Sequence, residues 1–147
     1  MKTKLTFLGT VLILAFLGCK KDLSEDITQY HWKLKSQTVT PAMTLNGKTS
    51  TNYLSLQNSD GCTKDNKLSL NTDGVFSISS TGALCDMVAN NSTQKWVRTD
   101  NKLLLKYGTS FEEEFEIEKD RMTSTSTIVI GDKSYLLVTV RKAEKKK

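Results

Sequence analysis

The sequence predicts an all-β domain, an antiparallel up-and-down meander of eight to nine strands that closes into a barrel. Three observations carry this. Short stretches alternate apolar and polar residues with a period of two, tight-turn residues separate them, and no amphipathic helix of useful length interrupts them. A meander this long must close on itself or leave edges exposed.

The elements follow in order. Trp32 and Leu34 alternate with His31, Lys33 and Lys35 as in a half-buried strand. Residues 38–51 hold Pro41, an Asn46-Gly47 turn and many threonines, and read as a long loop. Tyr53, Leu54 and Leu56 suggest a second strand. Leu68 and Leu70, then Phe76 and Ile78, flank Asn71-Thr72-Asp73-Gly74. A two-residue turn there would set Leu70 against Ser77 and split the apolar face. A three-residue loop with a left-handed Gly74 pairs Leu70 with Phe76 and Leu68 with Ile78, so the buried face selects it.

The same test pairs Trp96 with Leu105 across Asp100-Asn101. Phe115 and Ile117 alternate with Glu114, Glu116 and Glu118; Lys119-Asp120 leads into a Ser/Thr-rich strand, and Gly131-Asp132 into a last one.

The start of the chain carries a different signal. Lys2 and Lys4 precede an apolar run over 5–17, within signal-peptide range and short of the roughly 20 residues that span a bilayer. Gly18-Cys19 then reads as a lipobox in which Cys19 takes the lipid. The expected organisation is a signal peptide over 1–18, a lipidated tether over 19–29, a barrel over 30–141 and a basic disordered tail over 142–147. The net charge is +5, of which Lys2 and Lys4 supply two. That mild excess, without arginine–aromatic interleaving, gives no sign of a nucleic-acid partner.

Export leaves Cys62 and Cys85 in a non-reducing setting, where an even pair reads as a disulfide. Extending the Leu70–Phe76 hairpin outward brings Cys62 opposite Leu84, next to Cys85. Two cysteines far in sequence from the only histidine, His31, make a poor metal site.

Together these motifs resemble the lipocalin-like lipoproteins of Bacteroidetes: the lipobox, the Trp32 strand, Cys62-Thr63-Lys64-Asp65-Asn66, the Asp73-Gly74 turn, Cys85, and Trp96 ahead of Asp100-Asn101. The resemblance covers residues 30–141. It departs from that family at Leu70, where an aromatic is common, and at Tyr30-His31, where lipocalins usually have glycine before the tryptophan. It implies a lipocalin-like barrel on a membrane anchor, with no ligand motif to transfer.

Function is read by class. A small apolar ligand held in the barrel is the leading expectation, with Trp32 and Trp96 as candidate lining residues. The alternative is a non-enzymatic structural or protein/glycan-interaction lipoprotein whose barrel is filled. No catalytic set, metal ligands or cofactor motif stands out. Glu112, Glu114, Glu116 and Glu118 read as a solvated face, whereas Glu113, in phase with Phe115 and Ile117, points inward near a barrel end. The serine- and threonine-rich strand from Thr123 to Thr127 suggests either a partly polar interior or an outward threonine ladder. Lys20 after Cys19 favours the outer membrane, and Lys21-Asp22 with Glu25-Asp26 resembles surface-export signals.

Overall fold

A computed structural model describes residues 26–57, 65–80, 94–109 and 111–147 of the chain. Cys19, Cys62 and Cys85, and the leader, lie outside the described residues. Among the described residues nine strands form: β1 (Tyr30–Leu45), β2 (Lys48–Asn52), β3 (Lys67–Leu70), β4 (Phe76–Ser79), β5 (Gln94–Thr99), β6 (Lys102–Tyr107), β7 (Phe111–Glu118), β8 (Arg121–Ile130) and β9 (Lys133–Lys145). All pair antiparallel in the order β4-β3-β1-β9-β8-β7-β6-β5, with β2 added to β1. A single bridge from Val75 to Lys95, with Trp96 N donating to Gly74 O at 2.8 Å, draws the two ends together. The result is a nearly closed eight-stranded barrel with β2 as an extra ribbon.

The hairpin registers follow the buried face. Leu70 pairs with Phe76 and Leu68 with Ile78, around a loop in which Gly74 has φ of +80°. That conformation is open to glycine and strained for residues with a Cβ. Trp96 pairs with Leu105, Glu118 with Arg121 and Ile130 with Lys133, each across a two-residue turn.

Four segments differ from the sequence reading. Residues 38–51 are not a loop: β1 runs on to Leu45, turns at Asn46-Gly47, both with positive φ, and returns as β2. Its inward residues there are Val39 and Met43, and an irregularity between Thr38 and Met43 breaks the alternation. Pro41 falls in that irregularity, where no ladder donor is needed. Tyr53–Leu56 is a one-turn helix, α1, rather than a strand; Asn52 caps it by accepting from Ser55 N. The chain is ordered before Tyr30, in a 3-10 turn over Ile27–Gln29 that buries Ile27 in the core. Residues 142–145 are not a disordered tail. They continue β9 against the start of β1, with Lys142 outward, Ala143 inward, Lys145 exposed at the strand end, and Lys142 3.3 Å from Asp120. Backbone pairing and one inward alanine hold a segment whose composition alone looks solvated.

The interior is layered. At one end Ile27, Trp32, Leu68, Leu70, Phe76, Leu103, Leu105, Phe115, Ile117 and Met122 form a tight cluster. At the other, Val39, Met43, Tyr135 and Leu137 meet Leu56 from α1. Each large apolar side chain fully withdrawn from water contributes about 1.5–3 kcal/mol.

His31, on the outer face, contacts Ser69 Oγ through Nδ1 at 2.8 Å. Partial burial, then the charges of Lys146 and Lys67, lower its pKa from 6.5. Below pH 6.5 the unfolded chain therefore binds this proton more readily than the folded one, and stability falls with pH. Urea midpoints at pH 7 and pH 5 should show a smaller drop in His31→Gln than in the wild type. An equal drop would remove His31 from the account.

Candidate functional site

Read along their inward faces, the strands place a polar layer between the two apolar clusters. On β9 Thr139 and Arg141 follow Tyr135 and Leu137. On β8 Ser124 and Ser126 lie between Met122 and Ile128, and on β1 Gln37 lies between Trp32 and Val39. On β6 and β7, Tyr107 and Glu113 sit above Leu105 and Phe115. Period two puts these residues on the inward face, because each is two or four positions from a core side chain.

The layer is bonded internally. Ser124 Oγ donates to Glu113 Oε1 at 2.6 Å, and the Tyr107 hydroxyl donates to Glu113 Oε2 at 3.3 Å. Gln37 Nε2 donates to Thr139 Oγ1 at 3.2 Å. Arg141 Nη1 donates to the Trp32 carbonyl at 3.2 Å and to Asn66 Oδ1 at 2.7 Å. Burial, then the charge on Glu113, pushes the Tyr107 hydroxyl well above the ordinary phenol range, so it stays protonated and donates. Burial also lowers the pKa of Arg141, against the opposing influence of Tyr107 and Glu113. An arginine remains cationic at neutral pH even so.

The wall is incomplete at this level. β7 pairs with β8 only from Glu116 and Thr123 to Glu118 and Arg121. Above that point β7 bonds to β6 and β8 to β9. The Ser124–Glu113 hydrogen bond crosses the parting strands.

Glu113 thus points inward, as its phase requires. Glu112, Glu114, Glu116 and Glu118 face out, where Lys106 meets Glu112 at 3.1 Å and Lys102 meets Glu114 at 2.9 Å. Exposed pairs of this kind contribute about 0.2–1 kcal/mol each. The Ser/Thr strand satisfies both sequence readings: Ser124 and Ser126 face in, while Thr125 and Thr127 are exposed. Trp32 is fully buried at the closed end. Trp96 is half-buried, and its Nε1 donates to Asn71 O at 3.0 Å, across the β4–β5 closure.

The structure brings Trp32 to the layer through its carbonyl, and leaves Trp96 at the closure. Sequence reasoning missed Arg141, Tyr107, Asn66 and Gln37. For Arg141 a signal existed, since it is two residues from Thr139 and four from inward Leu137. Among the described residues no three metal-ligating side chains gather, and no helix is long and apolar enough to cross a membrane. Comparisons with protein-family models, curated proteins and solved structures find no match to this chain, so its fold rests on its own structure.

Proposed function

We propose that this chain is a lipocalin-like lipoprotein, anchored through Cys19, that holds a small and largely apolar molecule in its barrel. One observation carries the reading: the polar layer lies between two apolar clusters, at the level where β7 and β8 part. A barrel plugged by its own side chains has no use for a buried charged group at mid-height, whereas binding sites combine apolar walls with a few placed polar groups. The proposal includes a cell-envelope location, with the outer membrane favoured and the surface as a further step. It also includes a Cys62–Cys85 bridge, supported by the β3–β4 register, which if continued sets residue 62 opposite 84.

A filled, non-enzymatic interaction lipoprotein is the second reading. Val129 and Leu136, exposed on the outer face of the β8–β9 hairpin, favour it. Native mass spectrometry of protein purified from cells, with titration by the neutral probe N-phenylnaphthylamine, separates the two. The first reading expects acyl mass on Cys19, a two-hydrogen deficit and saturable one-to-one probe binding. Acylated protein that binds no probe would support the second. Unprocessed protein without acyl groups would defeat both.

A further inference from the structure

A guanidinium is costly to enclose, and a buried one is normally met by a carboxylate. Arg141 is 8% exposed and makes no ion pair within 4 Å among the described residues. Both of its hydrogen bonds leave from Nη1, to the Trp32 carbonyl and to Asn66 Oδ1. Its Nε is buried and finds no acceptor among the described residues. The indole Nε1 of Trp32 is likewise buried and without an acceptor among the described residues. Trp32 pairs with Ala143 and Leu34 with Arg141 across β1 and β9. Trp32 and Arg141 are therefore diagonal neighbours on the inward face, at about 7–8 Å.

Two buried unpaired donors on diagonal residues of paired strands, one of them cationic, are of the kind an oxyanion would satisfy. The Nε edge of a guanidinium suits a planar carboxylate. Glu113, in the same layer, does not fill this role: it forms no ion pair with Arg141, and its oxygens accept instead from Ser124 and Tyr107. From Arg141, β9 runs about 20 Å to Tyr135, past Leu137 and along the second apolar cluster. That distance matches the length of a hydrocarbon tail, and the side chains along it are apolar.

We propose that Arg141, with the Trp32 indole N–H beside it, receives the carboxylate of an amphipathic monocarboxylate whose tail lies along the upper apolar cluster. This rests on the ligand-binding reading above and names its ligand class.

The test displaces N-phenylnaphthylamine from the intact mature protein at pH 7.5 with dodecanoate, dodecanol and dodecylamine. These share a tail and differ in head group. Dodecanoate should displace the probe at a concentration about tenfold or more below dodecanol, with dodecylamine weakest. Arg141→Gln, with its fold checked by circular dichroism, should bring dodecanoate to the dodecanol level. Glu113→Gln, which removes a nearby negative charge, should tighten dodecanoate relative to dodecanol. The wild-type series decides the matter even where a variant fails to fold. Equal displacement by dodecanoate and dodecanol would overturn the carboxylate assignment and leave the binding reading intact. Probe that binds but yields to none of the three would overturn the assignment and leave the donors to buried water. A protein that takes up no probe would remove the binding reading and this inference together.

Discussion

Trp32→Ala is expected to lower the unfolding free energy by about 3–5 kcal/mol, the range for removing a large aromatic from a packed core. Trp32 is fully enclosed, in a cluster that includes Ile27, Leu68, Leu70 and Met122. Its carbonyl also accepts from Arg141, so a shift of the backbone would disturb a buried charge. The hole has few ways to collapse, because the ring lies where β1 is bonded on both sides, to β3 and to β9. Trp32→Phe retains most of the volume and should cost roughly 1–2 kcal/mol. Urea unfolding followed by far-ultraviolet circular dichroism measures both. A loss below about 1 kcal/mol for the alanine variant would mean that the closed end is loosely filled.

A second large effect should come from one strand probed at two heights. Phe115 and Phe111 are the same residue type on the same face of β7, four positions apart. Phe115 is 0% exposed and Phe111 57%. Phe115→Ala should cost about 3–5 kcal/mol. Phe111→Ala, which loses chiefly a tilted ring contact with Tyr107 at 5.3 Å, should cost about 1 kcal/mol or less. The ratio is more informative than either value, because strand, neighbours and denatured state are nearly shared. Similar losses at both positions would show that the barrel is packed along its whole height.

The parts of this fold legible in the sequence are those whose partner lies a few residues away. Leu70 and Phe76, or Trp96 and Leu105, must share a buried face across a short turn, and only one loop length permits it. Glu113 was legible for the same reason, through its phase with Phe115. The remainder depended on distant strands. Val39 and Met43 are separated by an irregularity and surrounded by threonines, so the second half of β1 showed no periodicity. Tyr53 and Leu56 fit a single helical turn as well as an alternation, and the cap at Asn52 decides between them. Lys142 and Lys145 looked like a solvated end because nothing local indicates that β1 lies alongside. Arg141 was in phase with Leu137, but its burial is completed only by the pairing of the first strand with the last.

That pairing also governs how the ring can assemble. Tyr30 lies opposite Lys145 and Thr40 opposite Leu136, so this seam of the cylinder unites opposite ends of the folded chain. Such long-range pairing places folding toward the slow, millisecond-to-second end of small domains. A growing polypeptide can make its hairpins early, but the cylinder has to wait for its final stave.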